Sequence, residues 1–419
     1  MTGDGNEIGV SRDAHQARPW YGIPSTWMGT SRVRARVLGS LVVFLAVCLV
    51  VVSLTAYLKY RSVWDSIRRV QVSGLGNRPP QFNNAMNVLL IGSDSRSGAN
   101  SGFGTGITGQ RSDTIIVLHL APGGRSAVVL SIPRDSVVPI LSCPREAGTP
   151  GQAAQPGQVE QINATFAYGG PGCLWKTLEQ TTHLRIDHFI ELNFTGFEHV
   201  INDIGGVNIC LPFAINDPLS RLHLTAGRHH VGGTEALAFW RARYIGEGSD
   251  LQRIERDQYL MAAVLQGAEH SDLLGSPTRL LAVITDVAKS MTTDTGLSPS
   301  TLFHVVESLR QMRPGAVQFV ELPTVAYPAN PDWVEWPSSD SQLFRAIAHD
   351  RMVPRTASTA APSRRAGPPA LTVYLPRHRA PAAPAPSGSP NLTKRYGGIT
   401  GNANICGNSQ AFSGPLGGS

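Results

Sequence analysis

The stretch Val37–Leu58 limits most what this chain can become: it carries no charge over 22 residues and is bounded by Arg36 and Lys59. At a rise of about 1.5 Å per residue, a helix of that length crosses a hydrocarbon core of about 30 Å. The apolar run is too long for a secretory signal peptide, and no small-residue cleavage site follows it. A buried core helix is the alternative, and the charges at both ends argue against it. The chain therefore divides into a basic cytoplasmic tail (1–36), a transmembrane helix (37–58), a linker (59–84) and the residues beyond. Positive charge does not orient the span. Arg12, Arg18, Arg32, Arg34 and Arg36 precede it, and Lys59, Arg61, Arg68, Arg69 and Arg78 follow it, so the two sides tie. The cysteines favour an external body: Cys143, Cys173, Cys210 and Cys406 all lie past the span, where an oxidising compartment permits disulfides. No pair has Cys-x-x-Cys spacing, which argues against zinc. Four cysteines allow three pairings. Cys143 and Cys173 flank a Gly/Pro/Gln-rich loop and could staple it, with isolated thiols the other reading.

Beyond the span, the pattern is that of an α/β layered domain over 85–325. Asn87–Ile91, Thr114–Leu120 and Ser126–Ile132 are buried-strand runs, and Pro122-Gly-Gly124 between the last two predicts a hairpin. Strands are also expected at 189–193, 207–211 and 317–322. Helices are expected at about 172–182, 194–203, 234–240 (capped by Thr234), 251–268 (capped by Asp250), 275–290 and 298–312. Strands alternating with helices predict a layered sheet. Residues 353–390 are rich in Pro, Ala, Ser and Arg, a composition that buries too little apolar surface to order itself. The segment 326–419 is accordingly expected to be an extended, largely disordered tail.

Four Arg/Asp clusters stand at element boundaries. They are Gly92-Ser-Asp94-Ser-Arg96, Arg111-Ser-Asp113, Arg134-Asp135, and Arg241-Ala-Arg243 followed by Asp250, Arg253, Arg256 and Asp257. A single surface Arg/Asp pair is worth little. Three clusters at strand ends are another matter, because loops there face ligands in α/β sheets. Guanidinium groups grip phosphate oxygens bidentately and keep their charge. Carboxylates beside phosphate need a cation between them, which makes Asp94 and Asp113 candidate Mg²⁺ ligands. The net charge of +6 is compatible with an anionic partner. No Gly-x-x-x-x-Gly-Lys loop, His-Glu-x-x-His motif or helix-turn-helix is present, and nucleic acid is not expected as a partner.

These residues, together with Gln161-Ile-Asn-Ala164, Tyr168-Gly-Gly170, Ile186-Asp-His188 and Gly205-Gly-Val207, occur in an order that resembles the LytR-CpsA-Psr family from about residue 86 to 322. The resemblance implies an α/β/α fold with a central mixed sheet, preceded by one transmembrane helix, and an apolar channel for a polyprenyl chain. It implies a phosphotransferase, outside the cell membrane, that moves a glycan polymer from a polyprenyl-pyrophosphate carrier to peptidoglycan. On that resemblance Asp94, Arg111, Asp113 and Arg134 are catalytic, and Asp94 and Asp113 hold Mg²⁺, with Mn²⁺ able to substitute. Arg111, Arg134, Gln161, Arg241, Arg243, Asp250, Arg253 and Asp257 surround the pyrophosphate.

Two positions depart from the family pattern. Gln161 stands where Lys is usual, removing one cation. Asp257 stands where Gln is usual, placing a carboxylate beside the arginines. Both leave open a second reading, a non-catalytic module that binds lipid-linked or phosphorylated wall polymers. A composition rich in Ala, Gly, Arg and Pro and poor in Lys points to a high-GC actinobacterial source, and hence to arabinogalactan as the expected glycan.

Overall fold

The computed structural model describes residues 26–93, 112–143, 158–211, 213–242, 250–271, 276–351 and 398–400. By internal contacts the chain divides into two compact units, 1–61 and 62–419. The first contains most of helix α1 (Thr26–Ser66), which starts earlier and ends later than the expected span of 37–58. Nothing in that sequence stops a helix at Leu58, since no Gly or Pro occurs between Leu58 and Gly74. Within α1, Arg36–Ser66 is the one stretch among the described residues long and apolar enough to cross a membrane. The short helix expected in the linker is the end of α1, and the chain continues as a three-residue strand, β1 (Arg68–Val70).

The second unit is built on one mixed sheet. Its strands in chain order include β2 (Met86–Ser93), β3 (Ser112–Leu120) and β4 (Ala127–Ile132). The small hairpin β5 (Val137–Ile140) and β6 (Gln158–Gln161) leads into helix α2 (Ala164–Thr182), followed by β7 (His188–Asn193) and helix α3 (Phe194–Asp203). Two further ribbons follow, with β8 (Val207–Leu211) paired to β11 (Gly227–Val231) and β9 (Ile215–Asp217) paired to β10 (Leu222–Leu224). Next come α4 (Gly233–Arg241), α5 (Asp250–His270), α6 (Pro277–Val287), β12 (Met291–Asp294), α7 (Pro299–Gln311) and β13 (Val317–Glu321). The sheet order is β1-β12-β7-β2-β3-β4-β13, with β16 (Gly398–Thr400) added outside β13.

Alternation along the central strands explains the layers. Leu89, Ile91, Ile115 and Val117 face one side, and Val88, Ile116 and Leu118 face the other. The first face is covered by Phe166, Leu174 and Leu178 of α2. The second is covered by Ala262 of α5 and Val305 of α7. A separate cluster joins Ile201 of α3, Phe239 of α4 and Tyr259 of α5 to Ile209 of β8. This is the α/β/α layering expected from the sequence.

The expected disordered segment from 326 does not hold over its first part. After β14 (Val325–Tyr327), β15 (Asn330–Glu335) forms a hairpin with it, and α8 (Asp340–Ala348) buries Leu343, Phe344 and Ile347 against the α2 face. Those three apolar residues at helical spacing are a packing stripe too short to stand out from the polar sequence around it. Residues 352–397 and 401–419 lie outside the described residues, as do 1–25.

Helix starts also shift. Helix α2 begins at Ala164 rather than near 172, and bends at Gly169–Gly170 ahead of Pro171. Helix α4 is entered from Gly232, so Thr234 already lies inside it. Asn193, Ser276 and Ser298 cap α3, α6 and α7 by accepting from Gly196, Arg279 and Thr301 backbone N–H groups. A disulfide joins Cys143 and Cys173. Cys210 is also disulfide-bonded, and Cys48 is free.

Candidate functional site

Strand direction decides where the Arg/Asp clusters fall. Strand β2 is antiparallel to β3, and β3 to β4, with Gly92 opposite Thr114 and Ile115 opposite Ile132. The end of β2, the start of β3 and the end of β4 therefore share one edge of the sheet. Strand β7 runs parallel to β2, and Asn193 lies opposite Ser93, so the start of α3 arrives at the same edge. Four strands at about 4.8 Å spacing put β7 and β4 roughly 14 Å apart. Long side chains from both flanks can meet over β2 and β3.

At the β4 flank, Arg134 Nε donates to Asp135 Oδ2 at 3.4 Å, a long contact between half-buried groups. Gln161 Nε2 donates to the other oxygen, Asp135 Oδ1, at 2.7 Å. Backbone bonds from Ile162 N to Ser136 O (2.8 Å) and Asn163 N to Arg134 O (3.2 Å) lock the two segments together. Gln161 thus braces the carboxylate next to Arg134 with a neutral amide.

At the β7 flank, Arg241 Cζ lies 5.0 Å from the Phe194 ring centre, a cation–π contact that orients the guanidinium. Trp240 secures α4 against β2. A Cβ added at Gly92 would lie 3.0 Å from the Trp240 ring, so only glycine admits this approach without displacement. Phe197 packs on Trp240 with ring centres 4.6 Å apart. Arg241 is the last residue of α4, and Arg243 lies outside the described residues.

Between the flanks the β2–β3 ladder shifts register. Gly92 pairs with Thr114 and Ser93 with Ser112, leaving Asp113 as the extra residue of a bulge. Ser112 is fully buried with no hydrogen bond from its hydroxyl, and so is Ser136 beyond Arg134. Glu191, beside this edge on β7, has its carboxyl pushed up by burial, with the Ser93 hydroxyl, Arg68 and Thr292 pulling the other way. The serines and Glu191 are not legible as site residues in the sequence because only the strand register places them along this edge.

Helix α5 reaches the end of α4. Arg256 is buried and its Nη2 donates to Ala242 O at 3.1 Å, tying α5 to the end of α4. Asp257 is half-buried on the same helix. Of the remaining expected site residues, Asp94 and Arg111 lie outside the described residues. So do the side chains of Asp113, Asp250 and Arg253, whose backbones belong to β3 and α5. Among the described residues no cluster of three metal-ligating side chains occurs.

The layered α/β domain thus collects two guanidinium groups, a bulged aspartate and buried hydroxyls along one sheet edge. Residues 55–341 match the LytR_cpsA_psr family, and the chain belongs to that family. It is 34% identical over 237 residues to a probable cell wall biosynthesis protein, LcpB, of Corynebacterium glutamicum, covering 55% of this chain and 53% of that protein. It is 28% identical over 341 residues to the cell wall biosynthesis protein LcpA of the same organism, covering 74% and 64%. A Bacillus cereus polyisoprenyl-teichoic acid–peptidoglycan teichoic acid transferase, TagU, is 30% identical over 210 residues, covering 50% of this chain and 61% of that one. The matched region thus spans less than two thirds of each of these relatives. A LytR-Csp2A-Psr enzyme from Actinomyces oris has the same fold, with a TM-score of 0.50 at 20% identity over 67% of this chain and 96% of that one.

Proposed function

We propose that this protein transfers a glycan polymer from a polyprenyl-pyrophosphate carrier to peptidoglycan, on the outer side of a membrane that α1 crosses once. The observation that carries the reading is the convergence of Arg134, Arg241 and the Asp113 bulge on one sheet edge. A hydroxyl oxygen of peptidoglycan attacks the phosphorus that bears the glycan. The bridging P–O bond breaks, polyprenyl phosphate leaves, and the hydroxyl proton passes to a carboxylate. Asp135 is the described carboxylate closest to Arg134. Arg134 and Arg241 hold the phosphate oxygens and offset the charge that develops on them. Mg²⁺, or Mn²⁺ in its place, would be held by Asp94 and Asp113 and would neutralise further pyrophosphate charge. The bulge that sets Asp113 beside the end of β2 supports that pair. An arabinogalactan precursor is the proposed donor, supported by the composition and by the likeness to two Corynebacterium cell wall biosynthesis proteins.

The test uses the full chain in detergent with a short-chain polyprenyl-pyrophosphate oligosaccharide and oligomeric peptidoglycan, with Mg²⁺ or EDTA. Transfer is expected with metal, and Arg134→Ala should reduce kcat/KM by about 100-fold or more. Tight donor binding without transfer would instead support a binding module, the reading that the neutral Gln161 favours.

A further inference from the structure

A second cavity, of about 710 Å³, opens on the α2–α8 face. It is bordered by Phe82 and His183, near the end of β2 at which Met86 stands, whereas the arginine edge begins at Ser93. Seven steps of about 3.4 Å separate those two ends of the strand. Its volume falls in the range of roughly 300–1,000 Å³ usual for small-molecule sites.

Two aromatic pairs form its walls. Phe82 and His349 have ring centres 4.3 Å apart, and Trp336 meets Phe344 edge-on at 5.8 Å. Asp340 also borders the cavity; it is only 1% exposed, and no hydrogen bond of adequate geometry reaches either of its carboxylate oxygens. Trp336 Nε1, another lining group, is a buried donor without an acceptor. Such groups are costly to bury unpaired. Together they ask for a ligand with an apolar face, a donor for Asp340 and an acceptor for Trp336.

That combination selects among chemistries. An alkyl chain leaves both polar groups unpaired. An ammonium group serves Asp340 and leaves Trp336 unpaired. An anion gains Arg345 in the lining but brings no donor for Asp340. A sugar ring offers hydroxyls that both donate and accept, and a C–H face that stacks on aromatic rings. We propose that this cavity binds a neutral saccharide unit, separately from the pyrophosphate site. The pocket stands on its own geometry, and only the choice of saccharide probes rests on the proposed transferase reading.

Calorimetry and tryptophan fluorescence on the full chain in detergent test it. The probes are an N-acetylglucosamine tetramer, a β-galactofuranose tetramer and an α-arabinofuranose hexamer, with dodecyl phosphate and tetramethylammonium as comparators. At least one oligosaccharide is expected to bind below about 10 mM. Asp340→Leu and Trp336→Phe should each weaken it by about 10-fold, and Asp340→Asn by less, with circular dichroism showing each variant folded. No oligosaccharide binding up to that concentration overturns the proposal. So does binding unchanged in the folded variants, or binding of the comparators alone. Saccharide binding without glycan transfer would count against the transferase reading only, and transfer without saccharide binding against this pocket only.

Discussion

Single residues set the electrostatics of both sites. At the arginine edge, Gln161 and Arg134 share the two oxygens of Asp135. Replacing Gln161 with Lys restores a cation there without changing the backbone. Gln161→Lys is expected to lower KM for the pyrophosphate donor by about threefold and to steepen its salt dependence, read from initial rates at two ionic strengths. At the second cavity, burial pushes the Asp340 carboxyl up to about 7, from an ordinary 3.8, while the Ser339 hydroxyl pulls the other way. The raised value means that the unfolded chain ionises first. The stability that Asp340 contributes is therefore full below about pH 4 and declines as pH rises toward 7. Asp340→Asn should flatten that decline and be more stable than the parent chain at pH 8, by on the order of 1 kcal/mol in denaturant melts. Without ligand, a higher stability of the parent at pH 8 would contradict this picture of Asp340.

Among the elements, the β5–β6 hairpin depends on its link to α2. Cys143, just past β5, is bonded to Cys173 in α2 over a sequence separation of 30. Closing a loop of that size stabilises by roughly 3–4 kcal/mol in the chain-entropy account. The double change Cys143→Ser with Cys173→Ser should lower the melting temperature accordingly. It should also impair transfer beyond the loss of folded protein, because β6 carries Gln161 to the site. Gln161 and Arg134 come from segments separated by this loop, so loosening it loosens their shared grip on Asp135. The hairpin escaped notice in the sequence because Val137–Ile140 is only four residues long and contains a proline. Strands of that length carry little periodicity. The same holds for β1, β12 and β16, which are recognised as strands only by the neighbours they pair with.

At the scale of the molecule, the sheet closes with strands from both ends of the chain. Strand β1 pairs with β12, and β16 pairs with β13. Val63 and Ile67, just ahead of β1, are buried with Ala288 and Met291. A truncated chain of residues 75–350 would lose both outer strands and that cluster. It should melt about 3 kcal/mol or more below a chain that begins at Ser62 and keeps its C-terminal segment, and it should aggregate, as light scattering would show. Recovery of a monodisperse 75–350 fragment of equal stability would show these edges to be dispensable.

Local repeats and short motifs are readable from the residues alone. The uncharged stretch at Val37–Leu58, the buried runs of β2, β3 and β4, the amphipathic helices and the Arg/Asp clusters at strand ends were all legible there. The layered class follows from these, since alternating apolar strands must be covered on both faces. Tertiary structure decided what depends on pairing between distant segments. It placed Arg134 and Arg241 at the same edge through strand direction, turned Asp113 into the odd residue of a bulge, and brought Ser112, Ser136 and Glu191 beside them. It also folded α8 out of a segment that composition assigned to a tail, and with it formed the Asp340 cavity. The physical reason is that register and burial are relations between segments far apart in the chain, and no local window of residues contains them.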